Sequence, residues 1–150
     1  MAPSGPITVG DTVTIDVAIS GASDLYGYQF DLNFDPALLS VGASTEGALL
    51  SAGGATFFVS GSIGSGQIAA TADTLLTATS GENGDGILAS LSFTAIGVGS
   101  SALSLDGVLL LDSALNLVDG SSRGAALTIV PTNNTVPEPA SLAILALALH

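Results

Sequence analysis

Two runs of strict two-residue alternation decide what this chain can become. Val13, Ile15, Val17 and Ile19 fall on one side of an extended segment, with Thr12, Thr14, Asp16 and Ala18 on the other. After the turn residues Gly21-Ala22-Ser23-Asp24 the alternation returns. Tyr28, Phe30, Leu32 and Phe34 then stand opposite Gln29, Asp31 and Asn33. A period of two belongs to strands with one buried face, since a helix brings every third or fourth residue to the same side. Asp35-Pro36 ends the second run, because proline donates no ladder hydrogen bond and restricts the residue before it.

The same grammar continues down the chain. Strands are expected over Leu38 to Ser44, Thr56 to Ser60 and Gln67 to Asp73, the last two pairing across the Gly61 to Gly66 turn region. Glu46 to Ser51 suits a short helical turn before Gly53-Gly54. The loop Ser80 to Gly86 leads into a row of Ile87, Ala89, Leu91, Phe93 and Ala95, with Leu88, Ser90, Ser92 and Thr94 opposite. Ala102 to Leu105, Val108 to Leu111 and Ala125 to Val130 supply the last strands. About nine short strands with glycine-rich turns, and no useful helical period, predict an all-β sandwich.

Outside that unit, residues 1–6 read as a flexible lead-in without a signal peptide, and 7–130 as the sandwich. Residues 131–139, with Pro131, Pro137 and Pro139, read as a linker. Residues 140–150 form a short apolar tail, about half the length that spans a bilayer. Residues 131–150 are expected to be dispensable for the fold, with the tail loose, helical or weakly self-associating.

Charge removes most chemistries. The chain of 150 residues carries a single basic residue, Arg123, against 13 acids, for a net charge of −12. That excludes a phosphate-binding nucleic-acid surface and docking on anionic lipid. With no cysteine and one histidine, the terminal His150, thiol catalysis, a Ser-His-Asp triad and a histidine-built metal centre are not expected. The acids allow a carboxylate pair for sugar cleavage, but the absence of Trp and of further Arg leaves nothing to hold a sugar ring. No enzyme activity, cofactor or metal is expected. Acids around Glu82, Gly84-Asp85-Gly86, Asp106, Asp112 and Asp119 lack the spacing of an EF-hand loop and read as turn residues.

Three stretches carry a family likeness: Val9-Gly-Asp-Thr-Val-Thr-Ile-Asp-Val17, Asp24 through Leu39 with its Phe34-Asp-Pro36, and Gly84-Asp-Gly-Ile-Leu-Ala-Ser-Leu-Ser-Phe93. In this order they resemble a cohesin domain over roughly Ile7 to Val130. The resemblance implies a nine-stranded, jelly-roll-like sandwich that binds dockerin modules in cellulosome-type assemblies, akin in structure to carbohydrate-binding modules. Separately, Val136-Pro137-Glu138-Pro139-Ala-Ser before an apolar run resembles a PEP-CTERM sorting signal. That likeness implies an exported protein at the cell surface or outside a Gram-negative, polysaccharide-producing bacterium, touching membrane only transiently through a complete tail.

Gln29, Asp31 and Asn33 share the polar side of the second run, Asp73 ends a neighbouring strand, and Ser90 lies on the polar side of a later one. These five are the candidate partner contacts. By resemblance Gln29 and Asp73 match partner-contacting positions, with Gln29 where an acid is usual; a plain solvated strand face gives the same pattern. Of Phe57 and Phe58, one must face away from the core. Two functions remain: a docking module for a dockerin-like protein, or a carbohydrate-binding or matrix domain that takes polysaccharide. The first needs a flat polar face with a few apolar anchors and the second exposed aromatic rings, and an aromatic content of 5% favours the first. Apart from association through the tail, a monomer is expected.

Overall fold

The computed structural model describes residues 6–77 and 80–131, and the backbone of 142–149. The strands are β1 (Ile7–Thr8), β2 (Thr12–Leu25), β3 (Gly27–Asn33), β4 (Leu39–Glu46), β5 (Thr56–Val59), β6 (Ser62–Gly64) and β7 (Gln67–Leu75). They continue with β8 (Glu82–Ala95), β9 (Gly99–Leu111), β10 (Gly120–Arg123), β11 (Ala125–Val130) and β12 (Leu142–Leu149). One helical turn, α1 (Ala48–Ser51), sits between β4 and β5 where the sequence places it. A seven-stranded sheet runs β1-β11-β9-β3-β7-β5, with β6 also on β7, and a five-stranded sheet runs β10-β12-β2-β8-β4. The expected all-β sandwich is the observed fold.

The core lies between the sheets. Val13, Ile15, Val17 and Ile19 from β2 meet Tyr28, Phe30, Leu32 and Phe34 from the β3 run, and all eight are buried. Tyr28 and Phe30 stack with centroids 5.8 Å apart, and Phe34 meets Phe93 edge-on at 5.3 Å. Each such side chain, removed from water, contributes about 1.5–3 kcal/mol before entropy.

Several bulges depart from simple alternation, and three of them bear on the site. In β8 the register passes from Val17↔Ala89 to Ala18↔Ile87, so Leu88 is the extra residue. Leu88 and Ala89 are both buried and Ile87, expected inward, is partly exposed. In β7, Thr71 pairs with Phe30 and Ile68 with Leu32, leaving Ala69 and Ala70 opposite Asp31. Ala70 has φ 59°, and its amide donates to Asp31 Oδ1 at 2.8 Å. In β9 a third bulge at Gly107, φ 56°, joins what the sequence reads as two strands into one. Each inserted residue inverts the facing of everything beyond it.

The two ends of the chain travel together. β11 pairs parallel with β1 through Ile7↔Ile129 and Thr8↔Val130. β12 pairs parallel with β2 from Leu142↔Thr14 to Ala148↔Ser20, and β10 closes on its other side. This differs from the expectation of a domain closed near residue 130 with a loose or helical tail. β8 satisfies only one edge of β2, and an apolar, proline-free segment of eight residues satisfies the other. Residues 132–141, including the expected sorting residues Val136, Pro137, Glu138 and Pro139, lie outside the described residues.

Candidate functional site: the outer face of the larger sheet

The outward residues of β5, β7, β3 and β9 line up in rows set by register. Phe57, Thr74, Gly27 and Leu111 form one row, and Val59, Ala72, Gln29 and Leu109 the next. Gly27 and Ala72 give a low floor, while Phe57 and Val59 on one side and Leu109 and Leu111 on the other form walls. The result is an apolar groove of about 330 Å3. Phe57 is 61% and Leu109 43% exposed, which leaves their apolar surface facing solvent. Leu117 bridges Leu111 in antiparallel register and so lies on the same face, itself exposed. A Cβ on Gly27 would stand 3.2 Å from the Asp73 carbonyl and 3.3 Å from Thr74 Oγ1, so any side chain there would press on the floor and raise it.

Beyond the groove the same face turns polar. Asn33 Nδ2 donates to Asp106 Oδ2 at 2.6 Å and to Ser104 Oγ at 3.3 Å, and Gln67 Nε2 donates to Asn33 Oδ1 at 2.9 Å. Asp31 and Asp106 are register partners, so two carboxylates stand side by side on adjacent strands. One end of the face therefore offers apolar pockets, and the other a hydrogen-bonded ladder with negative charge.

The structure brings Gln29, Asp31 and Asn33 together on this face. Asp31 has a second duty, because its carboxylate holds the β7 bulge through the Ala70 amide. Asp73 is elsewhere: it is 3% exposed and turned into the sandwich. Simple alternation from the buried Ile68 places Asp73 outside, and the extra residue at Ala69-Ala70 turns it in. Ser90 is on the other sheet, where its hydroxyl donates to Asp16 Oδ1 at 2.6 Å. It shares no surface with Gln29.

The apolar walls are what sequence reading missed. Val108-Leu109-Leu110-Leu111 carried the signal, since four successive apolar residues in a half-buried strand must leave some facing out. Phe57 is the outward member of the phenylalanine pair, and Phe58 packs against the core.

Inside the sandwich, beneath the groove, lies a polar cluster. Tyr28 Oη donates to the Leu88 carbonyl at 2.6 Å, and the Gly47 amide donates to the same oxygen at 2.9 Å. Burial above all, and then the charges of Asp73 and Glu46, hold the Tyr28 hydroxyl far above the usual tyrosine range, so it stays a donor. Asp73 is pushed up to about 8, first by burial and then by its hydrogen bond and charge interaction with Glu46, against a lowering contribution from the Thr74 amide.

The acids near the 80–86 loop cap backbone. Gly21 N donates to Asp85 Oδ1 and Asp24 N to Asn83 Oδ1, each at 2.8 Å, and Gly81 N to Asp24 Oδ1 at 2.6 Å. Asp112 accepts from the amides of Ala114 and Asn116 in its own turn. Of these acids only Asp112 makes the local bonds of a turn residue. Asp85 and Asp24 bind backbone far away in sequence, and Asp106, read as a turn residue, lies in β9 and accepts from Asn33. Among the described residues no group of three or more His, Cys, Asp or Glu is placed to hold a metal ion.

Residues 3–124 match the family profile described as Cohesin domain. No curated protein matches the chain. Among solved structures, the chain is similar to a non-cellulosomal cohesin from the hyperthermophilic archaeon Archaeoglobus fulgidus. The TM-score is 0.61 at 17% identity, over 99% of this chain and 87% of that one. It is also similar to the sixth cohesin of scaffoldin B from Acetivibrio cellulolyticus, solved with a mutant Cel5 dockerin. There the TM-score is 0.68 at 18% identity, over 86% of this chain and 96% of that one. A type I cohesin–dockerin complex from Clostridium thermocellum gives 0.66 at 13% identity, over 84% and 95%.

Proposed function

Since the chain belongs to the cohesin family, we propose that it is a non-catalytic docking module that binds a dockerin-type protein on the outer face of the β5-β7-β3-β9 sheet. The observation that carries this is the division of that face into an apolar groove and an acid-bearing polar ladder. A protein partner that seats apolar side chains between Phe57, Val59, Leu109 and Leu111 gains buried area at the centre of the contact. The ladder from Gln67 through Asn33 to Asp106 sets register with hydrogen bonds, and Asp31 and Asp106 favour a partner with lysine or arginine there. A net charge of −12 steers such a cationic surface in from a distance. A sugar chain would need rings to stack on, and this face offers only Phe57.

The setting we propose is extracellular. Val136-Pro137-Glu138-Pro139 before an apolar run supports export and sorting at the surface of a Gram-negative bacterium, with cutting near the prolines.

Calorimetric titration of the purified chain with a panel of dockerin modules tests the docking reading. Saturable one-to-one binding to at least one module is the expected result, lost on Leu109→Asp. Binding to none of the panel, with retention on polysaccharide instead, overturns it. Mass spectrometry of the secreted full-length protein tests the setting, with a new C-terminus near residues 137–139 expected.

A further inference from the structure

Asp73 on β7 and Glu46 on β4 come from different sheets and meet inside the sandwich. Asp73 Oδ1 accepts from the Thr74 amide at 2.9 Å. Asp73 Oδ2 and Glu46 Oε2 are both shut off from solvent, and among the described residues neither has a hydrogen-bond partner other than the carboxyl of the other. Two carboxylate oxygens that face each other without a donor are tolerable only if one of the two groups supplies the donor itself. Among the described residues no cation is at hand: the chain's single arginine, Arg123, is on exposed β10, and there is no lysine.

We propose that Asp73 and Glu46 hold one proton between them and that this proton clasps the two sheets together beneath the apolar groove. Loss of the proton puts two negative charges across the sheet interface, so the clasp opens as pH rises.

The neighbours of the pair suit a site that binds a proton and little else. From β3 the titratable group is Tyr28, whose hydroxyl is committed to the Leu88 carbonyl of β8. β5 presents Phe58 as the register partner of Asp73, and α1 carries no titratable residue. Glu82 at the start of β8 lies against Gly53 beyond α1, and Asp24 of β2 is turned to Gly81 and Ser113. Among the described residues no positive group offsets the pair. Burial and the Glu46 carboxyl both favour the protonated form of Asp73, in the direction the orphaned oxygens require.

A raised carboxyl stabilises the fold fully below its unfolded value, and the gain is lost as pH rises through the folded value. Ordinary carboxylates are already ionised between pH 6 and pH 8, so a change of stability in that window reads a raised carboxyl. Urea unfolding of the whole chain across that window reads it. The folding equilibrium constant of the native chain is expected to fall by up to about tenfold per pH unit relative to Asp73→Asn, whose neutral amide keeps a donor without titrating. Parallel pH slopes in the two proteins overturn the proposal. Because Asp73→Asn can fail to fold, carbon NMR of the native side chains gives a second reading. A carboxyl of the pair titrating near pH 8 supports the clasp, and both titrating below pH 5 overturns it. Neither readout involves a partner, so failure here leaves the docking reading intact.

Discussion

The carboxylate of Asp24 takes both hydrogen-bond donors of Ser113, the hydroxyl at 2.7 Å and the backbone amide at 3.1 Å, across 89 positions of sequence. With the Gly81 amide on its other oxygen, one side chain ties the end of β2 to the loops before β8 and after β9. Asp24 reaches this position with φ 59°, which aspartate accepts more readily than most residues.

Those bonds, the Ser113 hydroxyl first, then the Gly81 and Ser113 amides, hold the Asp24 carboxyl below its ordinary value of 3.8, against a small opposing effect of burial. A lowered carboxyl stabilises the fold above its unfolded value, and the gain is lost as pH falls through the folded value. The amide signals of Gly81 and Ser113 should therefore titrate together below the usual aspartate range in an NMR acid titration. Asp24→Ala should abolish that shared transition while the core signals stay in place.

Phe30 is fully buried and stacked on Tyr28, with its neighbours supplied by both sheets. Phe30→Ala should cost about 3–5 kcal/mol in urea unfolding, because the cavity can collapse only if both sheets move. A cost below about 1 kcal/mol would mean that the core repacks freely.

Gly47 is needed for space. Its φ of −80° suits any residue, yet a Cβ there would run into the Ile87 carbonyl. Gly47→Ala should destabilise by about 1–3 kcal/mol by pushing β4 off β8. Calorimetric melting checks this against Gly10→Ala, where a Cβ meets open space but φ is 97°, so any cost there is purely conformational.

Phe57→Asp and Leu109→Asp place charges on exposed walls of the groove. Each should shift unfolding by no more than about 0.5 kcal/mol, as surface changes do. Each should weaken partner binding by at least about tenfold, as loss of a central apolar anchor does. Full affinity in both variants would move the docking site away from this face.

Much of this fold is legible because alternation is a direct imprint of burial. The rows from Val13 to Ile19 and from Tyr28 to Phe34 are in the core, and Asp35-Pro36 ends its run as read. The legible pattern fails where a residue is inserted. Ala70 and Leu88 each flip the strand beyond them, and no residue type announces a bulge when Asp31 supplies its hydrogen bond from another strand. The inserted residue at Ala69-Ala70 turns Asp73, a candidate contact by resemblance, into the sandwich, and strand polarity says nothing about which sheet the strand of Ser90 joins. Gln29, Asp31 and Asn33 were legible as a group since one unbroken strand carries them.

Removing residues 132–150 deletes β12 and uncovers the edge of β2 along seven register pairs. The melting temperature should fall by more than about 4 °C, and the truncated chain should self-associate through its open edge. Calorimetry and sedimentation velocity check both. An unchanged melting temperature and a clean monomer would show that the strand adds nothing to the sandwich.

The pairing of β1 with β11, and of β2 with β12, also sets a timetable. β1 and β2 find these neighbours only after β11 and β12 have been made, so neither sheet can finish before then. Loop closure of that length is slow, and a chain rich in such contacts lingers unfolded. The topology itself therefore holds back completion of both sheets until β11 and β12 have emerged.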